Sequence, residues 1–301
     1  MSKNSHARIE QPRWLRFSLR SMFLTLLVAA LFFGFVSNRA QRQKRAAQAI
    51  AASGGWFKYD FQVANQPVPK GPLMLRTMLG KDYFAKLVQA TIVADTPYVA
   101  DAYALQRIEI VGKAVDESLL SSFTKLSDLR ELHIRDGSIT EKGLSEIAKL
   151  KQLEVLDLAG TQLEGTSLQS LNKLPNLREL VLSHTKFNDA ELQHLRGNDT
   201  ITRLAMIDCK LSDDGLAAIE SFEALKNLEL SRDASDPSLI PILGALSQKG
   251  TFQLRGLRPE QVSVDEIEAM IKSLRPASVS TMPSKLIQTQ PDDERQTARF
   301  R

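Results

Sequence analysis

LRELHIRDGSITEKGLSEIAKLKQ (129–152) and LEVLDLAGTQLEGTSLQSLNKLPN (153–176) lie one under the other without a gap. The same 24-residue period extends in both directions. Its first position is Leu105, Leu129, Leu153, Leu177, Ile201 and Leu225. The fourth is Ile108, Leu132, Leu156, Leu180, Leu204 and Leu228. The sixth is Ile110, Ile134, Leu158, Leu182, Met206 and Leu230. Apolar residues recur at position 11 (Val115, Ile139, Leu163, Phe187, Leu211), position 16 (Leu120 to Ile240) and position 19 (Phe123 to Leu243). A seventh unit keeps the register through Phe252, Leu254, Val264 and Ile267. So many aligned apolar positions without one insertion mark an internal repeat.

Each unit reads as a strand followed by a helix. LxxLxL has the period of two that a half-buried strand requires. The later positions 16, 19 and 22 have helical spacing. One unit cannot bury its own apolar face, but stacked units share a continuous core. These segments resemble leucine-rich-repeat proteins of the 24-residue, helix-backed kind. The resemblance implies an α/β solenoid with a curved parallel sheet on its concave side and helices on its convex side. It covers 105–275; residues 276–301 have little apolar periodicity and are expected to be a disordered tail.

The 301 residues carry a formal charge of +4, unevenly placed. Lys3, Arg8, Arg13, Arg16, Arg20, Arg39, Arg42, Lys44 and Arg45 face only Glu10 within residues 1–45. The remainder is therefore slightly acidic, which removes electrostatic support for nucleic-acid binding. After a basic tail (1–20), residues 21–37 (SMFLTLLVAALFFGFVS) contain no charge. As a helix they span roughly 25 Å, near the short limit for crossing a bilayer. Trp14 has the position of an interfacial anchor. The run is longer than the apolar part of a cleaved signal, and basic residues follow it directly. A transmembrane helix contacting lipid through 21–37 is the expectation. Four basic residues flank it on either side, so charge alone does not orient it. The short amino tail and long carboxyl portion favour a repeat domain outside the cytoplasm.

Residues 38–53 are rich in Ala, Gln and Arg and should continue the helix to the Ser53-Gly54-Gly55 stop. They read as an ordinary juxtamembrane flank rather than a lipid-binding patch. Residues 54–104 read as an amino-terminal cap. WFKYDFQ (56–62) alternates like a strand and suits the open end of the core. LMLRTMLGKDYFAKL follows as a short helix broken at Gly80, and LVQATIV (87–93) as a strand. This WF-x-Y strand, short helix and GKDYF segment also resemble the cap of bacterial single-pass membrane-anchored repeat proteins. A chain starting at residue 54 is expected to fold, because the aromatic strand is retained.

Catalytic chemistry finds little footing. Cys209 is the only cysteine. It occupies position 9, where Gly137, Thr161 and Thr185 stand in other units, so a small residue at an inward turn explains it. His6, His133, His184 and His194 lack metal-ligand spacing. Asp213-Asp214-Gly215 lacks the later ligands of a calcium loop, and N-capping of convex helices explains it, Thr140–Gly143 and Asn188–Glu191 together. No phosphate loop, dinucleotide fingerprint or nucleophile elbow is present. Neither enzyme activity nor a cofactor is expected.

What remains is a surface. Strand residues flanking position 4 point out of the core: Arg107 and Glu109, Glu131 and His133, Val155 and Asp157, Glu179 and Val181, Arg203 and Ala205, Asn227 and Glu229. Read as an open face, the carboxylates among them have no reason for displaced pKa values. The ends are charged and the middle more apolar, as in a protein interface. Seven strands at about 4.8 Å spacing give a face roughly 30 Å long, which suits a protein or peptide. An envelope-associated protein binding polysaccharide is the alternative.

Overall fold

The structure is a computed structural model describing residues 19–93, 96–112, 115–163, 168–185, 189–209, 211–230, 253–255 and 287–288. The chain begins with α1 (Leu19–Ala52), then β1 (Trp56–Tyr59), α2 (Asp60–Val63), α3 (Leu73–Leu79) and β2 (Leu87–Ile92). The repeats supply β3 (Arg107–Val111), α4 (Glu117–Ser122), β4 (Glu131–Arg135), β5 (Ser138–Ile139), α5 (Glu141–Ile147), β6 (Val155–Asp157), β7 (Gln162–Leu163) and β8 (Glu179–Val181). β9 (Arg203–Met206), α6 (Asp213–Glu220), β10 (Asn227–Leu230), β11 (Gln253–Arg255) and β12 (Ile287–Gln288) complete the described elements.

Ten strands form one sheet in the order β1-β2-β3-β4-β6-β8-β9-β10-β11-β12. Only the β1–β2 pair is antiparallel. The register matches the sequence period: Ile108, Leu132, Leu156, Leu180, Leu204 and Leu228 are successive partners. All six are fully buried. The described residues at positions 16, 19 and 22 that are apolar join the same core. β12 falls inside the expected tail and pairs in parallel with β11. The rest of that tail lies outside the described residues, as do Trp14, Phe187, Phe252, Val264 and Ile267.

The convex side is less uniform than expected. α4, α5 and α6 are α-helical, whereas Leu168–Lys173 and Asp189–Leu195 are 3₁₀. Thr140 caps α5 by accepting the Gly143 N–H at 3.1 Å. Ser212 caps α6 by accepting the Gly215 N–H at 3.3 Å, which places Asp213 and Asp214 in the favoured first turn. Asn188 lies outside the described residues.

The turn after each strand is made one residue earlier than expected. Position 8 holds a positive-φ backbone in the five units where it is described: Gly112 (φ 101°), Asp136 (57°), Gly160 (71°), His184 (59°) and Asp208 (54°). Position 9 serves the strand end instead. The Thr161 hydroxyl donates to the Leu158 carbonyl at 2.6 Å, and the Cys209 thiol to the Leu182 carbonyl at 3.0 Å. Burial pushes the Cys209 thiol pKa up, so it stays protonated and packs as a small side chain.

The cap departs most from the sequence reading. The strand over 56–62 stops at Tyr59, where the register shifts. Gln62 turns back to accept the Tyr59 N–H at 2.9 Å, starting α2. Tyr59 is buried and donates to Asp82 at 2.6 Å. More consequentially, residues 40–50 are not a free flank. Ala40, Gln43, Ala46, Ala47 and Ile50 are buried on one face of α1. These are mostly small, so the helix lies close to the domain. Gln43 donates to the Ala85 carbonyl at 2.9 Å and accepts the Leu87 N–H at 3.1 Å. Arg42 pairs with Asp101 at 2.7 Å, and the Arg39 guanidinium lies 3.4 Å over the Tyr103 ring. Thus α1 is itself part of the cap.

Candidate functional site

Parallel register lines up the outward residues of consecutive strands into two rows. One runs Gln89, Arg107, Glu131, Val155, Glu179, Arg203, Asn227, Gln253. The other runs Thr91, Glu109, His133, Asp157, Val181, Ala205, Glu229, Arg255. All twelve residues singled out from the sequence therefore share one face. Their environments differ.

At the amino-terminal side the charges interlock. Arg107 pairs with Glu131 at 2.7 Å. His133 Nδ1 lies 3.1 Å from Asp157 Oδ2, and a carboxylate only accepts, so Nδ1 carries the proton. Its Nε2 is 3.6 Å from Glu131, too far for a hydrogen bond. Arg135 bridges Asp157 at 3.4 Å and Glu109 at 3.8 Å. Arg135 was not among the expected residues; it sits at position 7, beyond the pair flanking position 4. At the other side Arg203 bridges Glu229 at 2.9 Å and Glu179 at 3.4 Å. Between these clusters Val155 and Val181 are half-buried.

Three residues are not the open surface groups expected: His133, Asp157 and Ala205 are 8%, 7% and 3% exposed. Neighbours one strand away stand about 4.8 Å off and cover short side chains. Asp157 also has a displaced pKa. Burial alone would raise it, but the hydrogen bond from His133, the Ala159 N–H and the Arg135 charge outweigh burial and hold it below 3.8. A lowered folded pKa contributes stability that is present above 3.8 and is lost as pH falls through the folded value. Asp157→Asn should therefore lower the melting temperature at neutral pH, and the deficit should shrink as the pH drops below 3.8. A deficit constant across that range would show that Asp157 acts only through packing.

Among the described residues no group of three or more His, Cys, Asp or Glu could hold a metal ion. The face offers paired charge on either side of a small apolar patch.

A family model described as leucine rich repeat matches residues 127–187. No curated protein matches the chain. Among solved structures, an internalin from Listeria monocytogenes str. 4b F2365 is similar at 16% identity over 64% of this chain and 54% of its own, with TM-score 0.42. The LRR ectodomain of the plant membrane receptor kinase GASSHO1/SCHENGEN3 from Arabidopsis thaliana, in complex with CASPARIAN STRIP INTEGRITY FACTOR 2, is similar at 21% identity over 56% and 22%, with TM-score 0.35. A plant ice-binding protein is similar at 15% identity over 72% and 80%, with TM-score 0.36. The chain spans about half the length of the internalin. The 24-residue period, the parallel ladder that seats it and the family match at its centre identify the repeat region of this chain as leucine-rich repeats.

Proposed function

We propose that this chain is a single-pass membrane protein whose repeat domain, held outside the cytoplasm, binds another protein or peptide on its concave face without catalysis. Leucine-rich-repeat domains commonly mediate protein–protein interaction, which sets the class. The anchor reading is supported by α1, the one described helix long and apolar enough to cross a membrane, with Leu19 to Phe35 exposed along it. The observation that carries the binding reading is the pair of half-buried valines between two charge clusters. Each cluster pairs its arginines with carboxylates and keeps one carboxylate in excess, so the face is mildly acidic around an apolar spot to bury. That is the arrangement of an interface core with a polar rim. No aromatic side chain lies in either row, which leaves a sugar ring nothing to stack upon.

The test is affinity capture from membranes with the double variant Val155→Thr, Val181→Thr. Threonine keeps the branched shape while adding a hydroxyl that a dry interface leaves unsatisfied, at about 1–3 kcal/mol each. Aspartate would be a poorer probe, because Glu131 and Glu179 flank position 155 and Asp157 flanks 181. The expected result is roughly tenfold or greater loss of capture with an unchanged melting curve, since about 1.4 kcal/mol is tenfold in affinity. Unchanged capture would move the site off the concave face, and retention on a polysaccharide matrix would favour the other reading.

A further inference from the structure

The cap carries an apolar surface that neither the core nor the concave face accounts for. α3 lies almost wholly in solvent: Leu73 is 69% exposed, Met74 73% and Met78 71%. Leu75, Val63 at the end of α2 and Val68 in the loop before α3 are exposed as well. From Phe61 to Lys81 there is no acidic residue, while Lys70, Arg76 and Lys81 are basic. An apolar helix in a purely basic segment has the composition of an interfacial membrane contact.

Its position along α1 says which surface it meets. Three hydrogen-bonded contacts place residues 83–96 along α1. Ser53 Oγ lies 3.0 Å from Thr96 Oγ1. Gln43 holds Ala85 and Leu87. Ser37 Oγ lies 2.9 Å from the Tyr83 hydroxyl. From Thr96 back to Tyr83 the chain moves along α1 towards its apolar half, while Asp101 and Tyr103 meet Arg42 and Arg39 in between. Ser37 closes the uncharged run that begins at Ser21. The 3₁₀ turn Lys81–Tyr83 packs on α1 there, and α3 packs on that turn. So α3 sits where α1 changes from buried and polar to exposed and apolar, and its own exposed side chains continue that surface.

We infer that α3 and its preceding loop form a second lipid contact, lying in the interfacial layer beside α1 with Leu73, Met74 and Met78 among the acyl chains and Lys70 and Lys81 at anionic headgroups, while Arg76 holds the loop through the Pro69 carbonyl. This rests on the anchor reading above. It adds that the domain is seated on the bilayer and not merely tethered near it.

The test uses the full chain with Cys209→Ser, reconstituted in vesicles of phosphatidylcholine and phosphatidylglycerol. An environment-sensitive fluorophore is attached at Met74→Cys, Phe32→Cys or Ser138→Cys, and nitroxide-bearing lipids serve as quenchers. Probes at 32 and 74 should be blue-shifted and quenched by the lipids, with 74 responding most to shallow nitroxides; 138 should report water. Quenching at 32 with an aqueous signal at 74 overturns the inference and leaves the anchor standing. An aqueous signal at 32 removes the anchor itself. A blue shift at 74 without lipid quenching means that protein, such as a second copy of the chain, covers α3, and also overturns the inference.

Discussion

A chain beginning at residue 38 is expected to fold into a soluble, cooperatively melting domain, and one beginning at residue 54 to be largely unfolded. The sequence alone favours the later start, since it keeps the aromatic strand β1. The packing of α1 argues for the earlier start. Ile50 is fully buried against the cap, and a buried Ile contributes about 1.5–3 kcal/mol. Removing Gln43 strips partners from the Ala85 carbonyl and the Leu87 N–H, each loss worth up to about 1–3 kcal/mol where water cannot enter. Ala46 and Ala47 vacate the same groove. Gly55 shows how close the fit is, since a Cβ there would stand 2.3 Å from the Thr91 carbonyl. The combined loss is comparable with the about 5–15 kcal/mol that holds a whole domain together. Melting curves and amide exchange at β2 decide it. Equal melting temperatures for the two chains would return α1 to the role of a passive flank.

The second large effect separates two adjacent residues on one strand. Leu156→Asp is expected to abolish folding, whereas Val155→Thr beside it should leave the melting curve nearly unchanged. Leu156 is fully buried between Leu132 and Leu180. A carboxylate there has no partner, and an unpaired buried charge costs several kcal/mol beyond the cavity left by the lost leucine. Leu156→Ala removes only the packing and should cost about 2–5 kcal/mol. A folded Leu156→Asp protein with near-native stability would mean that position 4 does not face the core.

This contrast shows where the sequence is legible. Strand positions 4 and 6 repeat every 24 residues with one chemistry, so their inward direction and parallel register follow from periodicity. The same spacing already pairs Arg107 with Glu131 and His133 with Asp157, each 24 apart. What it does not convey is how far short residues such as Ala205 are covered by longer neighbours. The left-handed position 8 is hard to read because Gly, Asp and His share it, and only their common backbone reveals the role. The docked face of α1 is hidden for a related reason. Ala40, Gln43, Ala46, Ala47 and Ile50 have helical spacing, but three alanines and a glutamine in a basic run carry almost no hydrophobic signal. Their burial depends on closeness of approach, a property of the partner surface.

The unbroken passage of α1 from its apolar half into the cap has a mechanical consequence. A flexible tether would let the concave face sample many heights and tilts, and a partner would wait for a favourable one. On the proposed anchor reading, helix and sheet would turn together as one lever, so a partner in the same bilayer would meet the strand rows at a set elevation. Pulling on the bound partner would load the Gln43 bridges to Ala85 and Leu87 directly, rather than first drawing out slack chain.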